Sequence, residues 1–129
     1  MADAAGDFDI TAWDEEVYDA AGAASLTRVH TEKAFRGDLV ATSSAELLIV
    51  QVAGGGAAYV GLERVSGTLA GGEGTFVLHH DATSWSGVTV AVATVVPGSG
   101  TGGLEGLEGR MEISRHDDGT HTWTLVYSI

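Results

Sequence analysis

Residues 59–81 read YVGLERVSGTLAGGEGTFVLHHD. Two runs rich in strand-forming residues flank Gly71-Gly72, a pair that suits a tight hairpin turn with positive φ. A two-residue loop at that pair sets Val65 opposite Leu78, Gly67 opposite Phe76 and Glu63 opposite His80. Strand side chains alternate between faces and cross-strand partners share a face. One face therefore carries Tyr59, Val65, Leu69, Phe76 and Leu78, and is predicted to be buried. Glu63 and His80 fall on that same face, as a polar pair within an apolar wall.

The flanking chain extends this pattern in both directions. Leu26–Arg36 and Leu39–Gln51 read as two strands joined around Gly37-Asp38, with Lys33 opposite Thr42 and Val29 opposite Glu46. Their pattern is mixed and leaves the inward face open. A four-residue loop at Ala53–Gly56 then sets Val50 opposite Tyr59 and Glu46 opposite Glu63. Followed across the three hairpins, one face gathers Lys33, Glu46, Glu63 and His80.

The first strand is expected over Asp7–Trp13. The acidic run Asp14–Asp19 and the alanine/glycine stretch to Ser25 read as a solvated loop with room for a helical turn. No EF-hand spacing is present. Asp81–Ser84 reads as a polar turn, and Trp85–Val96 as a β-branched strand ended by Pro97 and a glycine-rich run to Gly109. In the last hairpin a three-residue Asp117-Asp118-Gly119 loop, with Gly119 left-handed, unites the apolar positions: Ile113 faces Trp123, Met111 faces Leu125, and Tyr127 joins them.

The expected fold is all-β: a single domain over residues 1–129, built as an eight-stranded antiparallel barrel, calycin- or lipocalin-like in general shape. Closure removes exposed edges, and eight strands enclose side chains or one small ligand.

Composition narrows the function classes. The chain has 129 residues, 18 acidic against 6 basic, and a formal net charge of −12. Such a chain repels phosphate backbones and anionic bilayers, so neither nucleic acid nor membrane is an expected partner. Cysteine is absent, which excludes disulfides and thiolate metal sites and fits a cytoplasmic location. The N-terminus has no basic and apolar signal-peptide regions. An apolar fraction of 44% argues against disorder despite 19 glycines.

Several motifs read as structure. Gly98–Gly103 matches G-x-G-x-x-G, but Pro97 and the following glycines make a poor helix, and Glu105 and Glu108 would repel phosphate. It reads as a flexible loop that can cover the barrel mouth. His30, His79, His80, His116 and His121 show no metal-ligand spacing, and no metal is expected. Ser84-Trp85-Ser86-Gly87 lacks the strand-to-helix setting of a nucleophile elbow.

A resemblance is carried by Trp13-Asp14-Glu15-Glu16, Leu26-Thr27-Arg28, Lys33–Asp38, Gly61–Leu69, Gly74–Leu78 and Val96–Gly102. Together these segments resemble a bacterial domain-of-unknown-function family whose barrel is similar to that of allene oxide cyclase. The resemblance implies an antiparallel barrel with an internal cavity and a tendency to form homo-oligomers. It carries no catalytic motif across, and His79-His80 departs from the Gln-His of the family pattern.

The expected function is binding of a small hydrophobic molecule inside the barrel. It extends to a cyclase or isomerase that needs no cofactor and acts on a flexible apolar substrate. Glu63 and His80 are the candidate acid/base pair. Tyr59, Phe76, Leu78, Trp123, Tyr127, Glu46 and Lys33 are the candidate ligand contacts. The alternative is a non-catalytic carrier or binding module in which Glu63 and His80 anchor a polar end. A filled structural barrel without a ligand is the third reading.

Overall fold

The computed structural model describes residues 1–129. Its strands are β1 (Ala2–Asp19), β2 (Ala24–Gly37), β3 (Leu39–Val52), β4 (Ala57–Leu69), β5 (Gly72–Trp85), β6 (Val88–Val95), β7 (Glu108–Arg115) and β8 (His121–Ser128). They form one closed barrel in sequence order, each antiparallel to its neighbours, with β1 completing the circle against β8. A short 3-10 turn, Gly102–Leu104, is the only helical segment. No helix is long and apolar enough to cross a membrane.

The central hairpin forms with a register slid by two residues. Its turn is Ala70-Gly71, with φ of 51° and 81°, and Leu69 pairs with Gly72. Glu63 now faces Leu78, Val65 faces Phe76 and Gly61 faces His80. A slide of two preserves every face. Glu63 and His80 are therefore diagonal neighbours pointing inward, as the alternation predicts.

The two preceding hairpins each differ from expectation by one residue. Lys33 pairs with Ser43 rather than Thr42, and Ile49 rather than Val50 pairs with Tyr59. A one-residue change inverts a strand. β3 therefore turns Leu39, Ala41, Ser43 and Ala45 inward and Val40 outward. Glu46 lies outside the barrel, contrary to the sequence expectation. Between β2 and β4 the two changes cancel, so Lys33 still shares the inner face with Glu63.

β1 is longer than expected. The acidic run continues the strand beyond an irregularity between Ile10 and Ala12, pairing as far as Asp19 with Leu26. β8 accompanies β1 only to Phe8, opposite His121. The acidic segment thus forms a free edge, where charge discourages further strand pairing. Asp81–Ser84 is likewise strand and not turn: Asp81 and Thr83 point out and Ala82 points in, a polar alternation that mimics turn composition. The turn comes later, at Ser86-Gly87, before β6 begins at Val88. The β7–β8 register is the expected one, with Met111 facing Leu125 and Ile113 facing Trp123.

The two ends of the barrel are built differently. At one end the glycine-rich loop lies along β5: Val96 N donates to Val77 O at 2.9 Å, and Thr101 N to Thr75 O at 2.8 Å. Leu104 and Leu107 plug this end and are fully buried. A Cβ on Gly74 would stand 1.9 Å from Thr101 O, so only glycine admits the loop. The loop is fixed by hydrogen bonds at the closed end, not poised over the open mouth. Above it, Phe35, Leu39, Val65, Leu69, Phe76, Leu78, Trp123 and Leu125 fill the lower barrel. Burial of this cluster is the main stabilising contribution.

Candidate functional site

The filled core ends at a polar layer. Along β2, Phe35 lies in the core and Lys33 is the next inward residue. Along β4, Val65 gives way to Glu63, and along β5, Leu78 gives way to His80. Each step is the two-residue alternation of a strand, so three strands deliver three polar groups at one height. Small inward residues of β3, Ala41, Ser43 and Ala45, leave room for them.

Glu63 is the centre of this layer and is wholly buried. Its Oε1 accepts from His80 Nε2 at 2.6 Å and from Lys33 Nζ at 3.2 Å. Its Oε2 accepts from Ser43 Oγ. Burial by itself pushes the carboxyl pKa up and is the largest single influence. The His80 hydrogen bond, the Lys33 and His80 charges and the Ser43 hydroxyl together outweigh it and hold the pKa at about 2. Glu63 is therefore an ionised acceptor at neutral pH.

An ionised carboxylate only accepts, so His80 Nε2 must carry a proton. The other ring nitrogen, Nδ1, has no protein partner, and no buried side-chain nitrogen or oxygen in the chain is left unpaired. Nδ1 is thus open to the space that His80 lines. That space is a cavity of about 310 Å³ at the open end of the barrel. Its walls are largely apolar, with Phe8, Ile10, Leu47, Ile49 and Ile113, and its floor is Lys33 and His80. Lys33 is further held by the Phe8 ring, whose centroid lies 4.7 Å from Nζ. The Tyr59 hydroxyl is kept protonated, its pKa raised by burial and then by the Glu63 charge.

The proposed contacts are divided by this geometry. Tyr59 and Lys33 line the cavity. Phe76, Leu78, Trp123 and Tyr127 belong to the packed core beneath it. Trp123 also donates from Nε1 to Asp7 O at 3.2 Å. Glu46, on the outside, binds Arg28 at 3.0 Å and His30 Nδ1 at 2.6 Å. His116 bonds Thr122, and no three His, Asp or Glu side chains converge in metal-binding geometry.

Four polar residues of the site escape the sequence reading. Ser43 does so because the expected register turned β3 over, and Thr31 because its hydroxyl, on the same face as Lys33, carries no distinctive chemical signal. Arg115 and His121 had a usable signal. The correct β7–β8 register places them opposite each other, on the same face as Met111 and Ile113. Proximity to a polar turn made His121 look solvated.

Residues 4–127 match the family described as "Protein of unknown function (DUF3224)". The chain belongs to the DUF3224 family. A crystal structure of a DUF3224 protein of unknown function from Shewanella oneidensis MR-1 is 35% identical. The similarity spans 100% of this chain and 98% of that one, with a TM-score of 0.91. No curated protein matches the chain. The bacterial domain-of-unknown-function family named by the sequence resemblance is thus shown, whereas a likeness to allene oxide cyclase is not.

Proposed function

We propose that this DUF3224 barrel binds a small, mainly apolar molecule in its open-end cavity, with His80 Nδ1 as the polar contact at the floor. The observation that carries this reading is the pairing of an apolar-walled space with one ring nitrogen fixed by a buried carboxylate. Pockets that orient small ligands combine broad apolar walls with a few placed polar groups. The same arrangement favours a second reading, proton transfer by a cyclase or isomerase that draws on no cofactor. Glu63 holds His80 in the tautomer whose Nδ1 accepts, which is how a carboxylate prepares an imidazole base.

Native mass spectrometry of freshly purified protein, followed by identification of any compound released on denaturation, tests binding. The expected result is a co-purifying small molecule. Its loss in a Tyr59→Trp variant, which fills the cavity, would locate it. A protein that carries no compound and shows no chemical-shift change at His80 across a fragment library would sink the reading. For catalysis, the released compound is incubated with protein in deuterated water. Proton transfer predicts deuterium uptake that disappears in His80→Gln, which keeps a donor for Glu63 and removes Nδ1. Uptake that persists in His80→Gln would exclude His80 as the base.

A further inference from the structure

The chain is strongly acidic, yet its cavity is not. Among the residues that line it are Lys33, His80, Arg115 and His121, and no aspartate or glutamate. Two of only 6 lysines and arginines in the sequence therefore face one small space, in a protein that carries 18 acidic residues. Alternation along the strands produces this sorting. Asp9, Glu32 and Glu46 project outside, where they meet Arg36, His30 and Arg28.

The positive charge is also unevenly compensated. At the floor, Lys33 is paired with the Glu63 carboxylate, which also accepts from His80. At the mouth, Arg115 is the last residue of β7 and pairs across the strands with His121, the first of β8. Arg115 has no ion-pair partner, whereas Arg28 pairs with Glu46 and Arg36 with both Asp7 and Asp9. Glu15, on the neighbouring rim of β1, accepts from Trp13 Nε1 at 3.1 Å and is not part of the cavity wall. The His121 ring is fixed by stacking on Phe8, with centroids 4.9 Å apart. Its pKa is lowered first by burial and then by the charges of Arg115, Lys33 and His116, as the gathering of these cations around it requires.

Resting on the binding reading above, we infer that the ligand is an organic anion with an apolar body, whose oxyanion group sits between Arg115 and His121 at the mouth. The body would enter the space walled by Phe8, Ile10, Leu47, Ile49 and Ile113. An arginine fork matches a carboxylate geometrically, and a half-buried imidazole N–H adds a second donor. The surrounding acidic surface would repel anions at long range, so selection relies on these close contacts rather than on steering.

Isothermal titration of the full chain with naphthoate and its neutral isostere naphthamide tests this assignment, because the two probes differ in charge and hardly in shape. The expected result is naphthoate binding about tenfold more tightly than naphthamide at low salt. Arg115→Gln and His121→Gln should each bring the two affinities together. Thermal unfolding of the variants checks their folding, and Arg115 is exposed, so its replacement leaves the core intact. Equal affinities in the wild-type chain, or a preference that survives both substitutions, overturns the anion assignment while small-molecule binding stands. Failure of naphthoate to bind also overturns the anion assignment, while the binding reading stands or falls on the co-purification and fragment-library tests above.

Discussion

The barrel carries two histidine–carboxylate contacts of the same length on opposite sides of one wall. Inside, His80 Nε2 meets Glu63 at 2.6 Å; outside, His30 Nδ1 meets Glu46 at 2.6 Å. Each carboxylate also has a cationic partner, Lys33 inside and Arg28 outside. What differs is the surrounding medium. The Glu63 side chain is 0% exposed and that of Glu46 is 51% exposed. Water screens the outer cluster and can replace any partner it loses. The inner cluster has no such substitute, so its charges exist only because they satisfy one another. Contacts of equal length thus form a solvated surface cluster in one place and a buried structural centre in the other.

The contrast breaks most visibly at Glu63. Glu63→Gln leaves the Lys33 ammonium buried without a counter-charge, and should lower unfolding free energy by about 3 to 5 kcal/mol in denaturant titrations. A loss below about 1 kcal/mol would mean that Lys33 escapes to water and that the layer is not a coupled unit.

Acid titration sharpens the same point. The Glu63 pKa falls from 4.5 to about 2 on folding, a depressed value. Its stabilisation is therefore complete above the unfolded-state value and is lost as pH falls from 4.5 towards 2. The stability gap between wild type and Glu63→Gln should shrink across that window by about 3 kcal/mol. Taking the difference removes the effect of the many exposed carboxylates, which both proteins share. A gap that stays constant down to pH 2 would contradict the assignment of the ionised state to Glu63.

The smallest effect belongs outside. Glu46→Gln should leave the denaturation midpoint where it is, because its partners are solvated. A shift comparable to that of Glu63→Gln would erase the distinction between the two clusters.

The sequence made one cluster legible and misplaced a member of the other for a single reason. Both contain residues from alternating strands, and alternation is certain only within a hairpin whose turn is known. In the central hairpin an error of two residues did no harm, since Glu63 and His80 kept their face. In the β2–β3 and β3–β4 hairpins, errors of one residue turned β3 over and put Glu46 inside. They cancelled for Lys33, so that residue was correctly grouped with Glu63 through an intermediate that was wrong. Hydrophobicity could not correct β3, because its inward residues Ala41, Ser43 and Ala45 are small and its outward ones include Val40 and Leu48.

From its own residues the chain determined the number of strands, their antiparallel order and the inward pairing of Glu63 with His80. These follow from local forces: β-branched alternation, turn-forming glycines and the two-residue period of a strand. The turn parities were decided elsewhere. Asp38 N donates to Ala5 O at 3.0 Å and Asp38 Oδ2 accepts from Ala5 N at 2.9 Å, so the β2–β3 turn is set by β1. Gly37 is needed there because a Cβ would stand 2.6 Å from Ala5 O. In the β3–β4 turn, Ala53 N donates to Ala23 O at 2.8 Å, a residue of the distant β1–β2 turn. Only the assembled sheet brings those partners together, through the β1–β2 and β2–β3 ladders. With them it fixes which face of β3 is inside, where the glycine-rich loop plugs the barrel, and which cations line the cavity.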